Sequence, residues 1–358
     1  MAELPRIVVH AGMHKTGSTA IQEVFGIRGV AGVDHPGGPR ANLSDTVLLL
    51  FAEGALLDKF HATRMPHLGR AALLRRRDRE RARIEARLRS CRAPVFLFSA
   101  EDIAAPDFDA GATARMAEFL SPHGHAIEVI AYVRGPVSFM QSAYQQRVKQ
   151  DKPGAVALDA HNLWPGYRAR FEKLDQVFGR DKVHLRAFDT GAFREGDVVL
   201  DFADALGVNL ADAPRLRAND GLSREAMSVA YCRLAGLLPD DYPTARLAAR
   251  FRATPARAWA GFGTGKFTFS DAFLAPALAA HRADMEWIED RLGRPLPDRA
   301  PDPNGIGTAA DMQAIAQECR AALATALDTM PAPPTRAGRA LRRVGHYLHR
   351  GLGPRGQA

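Results

Sequence analysis

The chain has 358 residues, 46% hydrophobic and 25% charged, ordinary proportions for a globular protein with a sizeable core. No apolar run approaches the ~18 residues needed to cross a bilayer, and Met1–Pro5 leads into a strand-like run with no basic-then-apolar leader, so neither a membrane span nor a secretory signal is expected. The formal charge of +8 favours anionic partners without choosing among them, and part of it is local: the 23 residues from Arg336 on hold six arginines and no acid.

In chain order, Arg6–Ala11 (RIVVHA) is a short β-branched apolar run ending at Gly12, a buried parallel strand entering a turn. Ser18–Phe25 then spaces Ile21, Val24 and Phe25 as a helix does, so strand, glycine turn and helix open an α/β nucleotide-binding unit. Residues 26–45 are Gly- and Pro-rich and predict an irregular loop, with helical pattern resuming over 46–60. Arg75–Arg92 predicts a solvated helix laced by i,i+3 and i,i+4 ion pairs, and no aromatic residue interleaves its charges as a nucleic-acid surface would require. Pro94–Ser99, Ile127–Val133 and Lys182–Phe188 are further strands, and Gly135-Pro136 starts a long helix. Beyond about residue 200 the pattern is helical, over Val198–Leu206, Ser223–Leu238, Asp271–Leu292 and Ala309–Met330.

The expected fold is therefore α/β: a P-loop-like, three-layer arrangement with a central, mainly parallel sheet flanked by helices and a helical C-terminal part. It forms one domain over residues 1–330 with a helical extension from about 200, followed by a basic, flexible tail over 331–358. Pro331–Pro334 punctuates the end of the fold, and Leu341–Leu348 is a short amphipathic stretch in the tail that could touch a membrane surface. Cys91, Cys232 and Cys319 are odd in number and share no ligand spacing, as reduced thiols of a cytoplasmic protein would.

Two stretches carry chemistry. Gly12–Thr19 (GMHKTGST) aims backbone N–H groups and a helix N-terminus at one point, where phosphate is the natural guest. Lys15 adds a positive charge, and Thr16, Ser18 and Thr19 add hydroxyls around Gly17. An NTPase loop places its lysine after the second glycine; here it comes before, with no hydroxyl in the usual magnesium position, which counts against a kinase or ATPase. The second stretch, Arg134 to Tyr144, sets an arginine at the carboxyl end of a strand and Ser142 eight residues on in the next helix. An arginine there can fork onto a phosphate; the structural alternative is a strand-end salt bridge.

The order G-x-x-K-[ST]-G-[ST]-[ST] followed by R-x-P and S-x-Y resembles the sulfotransferase family that uses 3′-phosphoadenosine 5′-phosphosulfate, in particular its bacterial sulfotransferase-like group. The resemblance covers about residues 5–300 and is specific in those two elements. It implies that Gly12, Lys15, Thr16, Gly17, Ser18 and Thr19 bind the 5′-phosphosulfate and that Arg134 and Ser142 bind the 3′-phosphate. It also matches Arg217, Asn219, Leu222 and Ser223 to a stretch that recurs before a helix, and places Lys266, in Gly261–Phe267, on a loop that closes over the nucleotide; a plain surface loop is the alternative. It implies no metal and no nucleic acid, and an acceptor hydroxyl on a saccharide or other small molecule.

Such a reaction needs a base. The family uses a histidine or a glutamate, and Glu101, after the strand FLFS, is the first candidate, with Asp102 as a neighbour able to substitute. His14 lies inside the loop and His35 in the irregular segment. Relatives carry an N-H-S triplet where this chain has Asn42-Leu43-Ser44, which puts acceptor-side chemistry in question. A phosphoryl transferase and a non-catalytic nucleotide-binding module are the competing classes.

Overall fold

The structure, a computed structural model, describes residues 4–37, 41–151, 154–210, 221–244 and 261–328. Arg217, Asn219, Pro331–Pro334, Leu341–Leu348 and the basic tail lie outside the described residues.

Strand β1 (Arg6–His10) leads through the glycine turn into α1 (Ser18–Gln22), which continues as a π-helical turn over Glu23–Arg28. There follow β2 (Val33–Asp34), α2 (Ser44–Phe51), α3 (Gly54–Arg64), α4 (Arg70–Ser90), β3 (Val95–Ser99) and a 3-10 turn at Glu101–Ala104. Next come α5 (Ala110–Leu120), β4 (Ala126–Val133), α6 (Pro136–Lys149), α7 (Tyr167–Phe178), β5 (Val183–Ala187) and α8 (Val198–Leu206). The remaining described helices are α9 (Arg224–Leu234), α10 (Asp271–Ala280), α11 (Arg282–Leu292), α12 (Ala309–Glu318) and α13 (Arg320–Asp328).

The sheet order is β2-β3-β1-β4-β5, with every pairing parallel. Both faces are covered, which explains why β1, β3 and β4 read as near-continuous apolar runs. Ile7, Val9, Phe96, Phe98, Val129 and Val133 pack into one core with residues of α2, α5 and α7. Val8, Leu97, Ile130 and Tyr132 face the other way into a core shared with α1 and α8. The α/β fold with a central parallel sheet is as expected.

Three details differ from the sequence expectation. The loop over 26–45 contains β2, whose two residues pair Val33 with Val95 and Asp34 with Phe96 at the sheet edge; two residues are too few to show an alternating pattern. The expected helix over Asp271–Leu292 is two, broken at His281, and that over Ala309–Met330 breaks at Cys319. In α4 the expected pairs form between Arg83 and Glu80, Arg81 and Glu85, and Arg89 and Glu85. Two further arginines of that helix bind outward, Arg77 donating to the carbonyls of Leu49 and Ala52 and Arg87 pairing with Asp34, and Arg81 also lies over Phe119.

The described residues fall into two compact units. One comprises Met1–Gln146, Leu158–Gly221 and Thr268–Gly307 and contains the whole sheet. The other draws on Arg147–Ala157, Leu222–Phe267 and Thr308–Ala358; within it α9 packs on α12, and Tyr242 donates to the carbonyl of Ala316. Among the described residues no helix is long and apolar enough to cross a membrane.

Candidate functional site

The chain leaves β1 toward α1 on one face of the sheet and leaves β3 toward α5 on the other. Adjacent strands whose connections part in this way open a crevice beyond their carboxyl ends, where open α/β sheets bind ligands. The Gly12–Thr19 loop lines one side and Glu101 the other. Their strands are joined up to the rim: Ala100 N donates to His10 O at 3.1 Å, and Ala11 N to Ile130 O on the far side at 3.1 Å.

The loop is held by its own side chains. Thr16 is buried and donates from Oγ1 to the carbonyl of Met13 at 2.6 Å, so its hydroxyl proton closes the turn. Lys15 adopts a left-handed φ of 73°, which a non-glycine residue holds only at a cost of about 1 kcal/mol. Gly17 caps α1 at φ 79°, and a Cβ there would stand 2.5 Å from Val198 Cγ1, so conformation and close approach both require glycine. Thr19 is exposed on α1. Ser18 is buried, and its Oγ overlaps the place a Cβ on Gly12 would occupy. The missing side chain of Gly12 thus leaves room for the Ser18 hydroxyl.

Across the crevice, Glu101 opens the 3-10 turn and its Oε2 lies 3.7 Å from His14 Nε2. Burial raises its pKa, the Asp102 charge adds to the rise, and the Lys15 ammonium and the Ser18 hydroxyl oppose it. Lys15, His14 and Glu101, named from sequence, therefore meet. Asp102 does not join them, because its carboxylate pairs with Arg64 at 2.9 Å while its N–H donates to Ser44 Oγ.

Arg134, at the end of β4, also reaches the loop, donating from Nη1 to the carbonyl of Lys15 at 2.8 Å. Its guanidinium lies 5.7 Å over the Phe188 ring, and burial and then the neighbouring charge of Arg299 lower its pKa. Ser142 is half-buried on α6. The first amides of α6 are occupied: Asp298 accepts from Val137 N at 2.6 Å and Ser138 N at 3.1 Å. Lys266 belongs to the second unit, where it bridges to Ser223.

His35 accepts from Gly37 N at 3.0 Å and is buried enough for its pKa to fall to about 4. Leu43, where the resemblance led a histidine to be expected, is core, 1% exposed, with its N–H on Ser99 O. Sequence reasoning passed over His10, Gln22 and Ser99. His10 is fully buried beneath the loop, with Nδ1 2.8 Å from Ser99 Oγ, and Gln22 Nε2 donates to the same oxygen at 3.2 Å. A histidine closing a buried strand was the one available signal, and inside an apolar run it reads as part of the strand.

A glycine turn with a lysine, buried hydroxyl and imidazole groups, and a carboxyl group facing them suits an oxyanion beside a proton-accepting group. Among the described residues no group of His, Cys, Asp and Glu is arranged to hold a metal ion.

No family model matches the chain. An uncharacterized protein of Archaeoglobus fulgidus is 28% identical over 99 residues, 27% of this chain, and the match spans only 27% of that relative's length. Among solved structures, the chain is similar to a sulfotransferase from Alicyclobacillus acidocaldarius, with a TM-score of 0.36 and 16% identity over 71% of this chain and 98% of that one. It is also similar to the sulfotransferase domain from the curacin biosynthetic pathway, with a TM-score of 0.38 and 14% identity over 82% of this chain and all of that one.

Proposed function

We propose that the chain is a sulfotransferase that moves a sulfuryl group from 3′-phosphoadenosine 5′-phosphosulfate to an acceptor hydroxyl on a saccharide or other small molecule. The observation that carries this is the meeting of Lys15, His14 and Glu101 in the crevice beyond β1 and β3, with the Glu101 carboxyl 3.7 Å from His14 and under the influence of the Lys15 charge.

In this reaction the Glu101 carboxylate accepts the acceptor's hydroxyl proton as the acceptor oxygen bonds to sulfur. The bond from sulfur to the bridging oxygen of the 5′-phosphate breaks, and its electron pair stays on that oxygen. Lys15 neutralises the charge that develops there. His14 holds the Glu101 carboxyl in position. Gly12, Gly17 and Ser18 form the 5′-phosphate recess, and Thr16 keeps the turn closed. Arg134, with Ser142 on α6, is assigned to the 3′-phosphate, and Lys266 to a loop over the nucleotide.

Calorimetry on the whole chain with adenosine 3′,5′-bisphosphate, against ATP with magnesium, tests the donor. The bisphosphate is expected to bind and ATP not to compete; tight ATP–magnesium binding with no bisphosphate affinity overturns the proposal. Turnover of labelled donor against a panel of saccharide and small-molecule alcohols then identifies the acceptor class.

A further inference from the structure

Helix α7 sends two cations to the segment that follows Glu101. Arg170 donates from Nη1 to the carbonyl of Ala104 at 3.1 Å, and Lys173, 6% exposed, donates from Nζ to the carbonyls of Ala105 and Phe108. These carbonyls belong to consecutive turns. Glu101–Ala104 is the 3-10 turn, Ala105 N donates to Asp102 O at 3.0 Å, and Phe108 N donates to Ala105 O at 3.0 Å. Asp109 then caps α5 by accepting from Ala112 N at 2.7 Å. The backbone between Glu101 and α5 is thus held at three carbonyls by cations that the chemistry above does not use.

A buried ammonium loses its hydration, and a paired carboxylate is the usual compensation. Here the nearby carboxylates are engaged elsewhere: Asp107 pairs with Lys59, and Asp109 with the start of α5. Both still favour the charged form of Lys173 at longer range, and Arg170 opposes it. Burial first, and then the Arg170 charge, lowers the Lys173 pKa to about 7. A methionine would fill the same space without burying a charge, so what the ammonium adds here is its hold on the two carbonyls.

We propose that Lys173 is a positioning residue for Glu101, whose ammonium holds the Ala105 and Phe108 carbonyls and so keeps the 3-10 turn presenting the Glu101 carboxyl to the crevice. It acts through the backbone of the turn, and the inference rests on Glu101 as the base proposed above. A charge-assisted hydrogen bond is about twice as strong as a neutral one, so loss of the proton slackens the turn without undoing the fold. Alkali then has two opposite effects. Between the folded value of about 7 and the ordinary 10.5 the unfolded chain binds more protons, so the Lys173 contribution to stability rises with pH. Over the same range the hold on the turn weakens, so turnover is expected to fall about threefold or more through a midpoint near 7. A residue that served the fold alone would not set the two against each other.

Lys173→Met keeps the stem and removes the ammonium. Turnover of labelled donor with the panel of alcohols is expected to drop about tenfold, while calorimetry finds adenosine 3′,5′-bisphosphate affinity within about twofold of the parent. In carbon-13 spectra of the glutamate side chains, the Glu101 signal is identified by its loss in Glu101→Gln. Its midpoint is expected to fall toward the ordinary 4.5 in Lys173→Met, as the freed carboxyl gains water; loss of a neighbouring positive charge alone would raise it. A midpoint unchanged or raised, or full turnover, overturns the role of Lys173 and leaves Glu101 as base. Lys173→Arg stays charged and is expected to abolish the fall in turnover near pH 7; the same fall in that variant overturns the role. A measurement that needs neither variant to fold is the parent's own profile, where turnover flat from about pH 6 to about pH 9 overturns it. Absence of turnover in the parent overturns the sulfuryl-transfer reading, and the role of Lys173 with it.

Discussion

Arg134 donates from Nη1 to the main-chain carbonyl of Lys15 at 2.8 Å, so the residue that ends β4 braces the loop that ends β1. One guanidinium thereby couples the two stretches singled out in the sequence, and it sits beside Arg299, a second cation that the motif did not include. If Arg134 served the 3′-phosphate alone, its loss would spare ligands lacking that group. Because it also holds the Lys15 carbonyl, Arg134→Ala is expected to weaken adenosine 3′,5′-bisphosphate by about tenfold or more, and adenosine 5′-phosphate by a few-fold. Calorimetry with both ligands checks this. Unchanged bisphosphate affinity removes Arg134 from the donor site.

Lys15 combines a charge with a left-handed backbone, and the two can be tested apart. Lys15→Ala and Lys15→Gly both remove the ammonium, and each is expected to lower turnover by about two to three orders of magnitude. Only alanine keeps the φ penalty of about 1 kcal/mol, so Lys15→Gly is expected to melt no lower than Lys15→Ala. Labelled-donor turnover and thermal melts on the pair separate charge from conformation.

The loop was legible because its parts are contiguous: a β-branched run, a glycine, a lysine and a helical spacing lie within residues 6–25. Glu101 was legible for the same reason, as the residue just past a strand. What escaped was assembled across distance. His10, Gln22 and Ser99 are 12 and 77 positions apart along the chain, and parallel pairing of β1 with β3 alone brings His10 opposite Ser99. Nor could sequence order show that Asp102 pairs with Arg64, or that Asp298 occupies the start of α6 next to Arg134. Leu43 fills core space beside Ser99, and that role is invisible where a leucine merely replaces an expected histidine.

Glu101 has its pKa raised above the ordinary carboxylate value, with burial as the main cause. A base works in its ionised form, so turnover is expected to rise with pH through a midpoint above 4.5. Glu101→Gln is expected to abolish the chemical step, remove that acidic limb from any residual rate, and leave bisphosphate affinity within about twofold. The raised pKa also means that the ionised carboxyl opposes folding at neutral pH, so the glutamine variant is expected to be at least as stable as its parent there. A pH–rate profile and a denaturant titration on the same preparation check both halves. Full activity in Glu101→Gln would pass the role of base to another group.

The buried histidines fix how the fold responds to acid. His10 falls from 6.5 to about 3 and His35 from 6.5 to about 4, both chiefly by burial. A histidine whose folded pKa is depressed takes up its proton in the unfolded chain first, so its contribution is fully present above 6.5 and is lost as pH falls toward the folded value. At about pH 5 each imidazole is expected to cost about 2 kcal/mol of stability relative to neutral pH. Denaturant unfolding at the two pH values measures the total, and His10→Gln, which carries no titrating group, is expected to reduce the acid-induced loss by about 2 kcal/mol. An equal loss in that variant and its parent would place the His10 proton balance elsewhere, and with it the neutral imidazole beneath the loop.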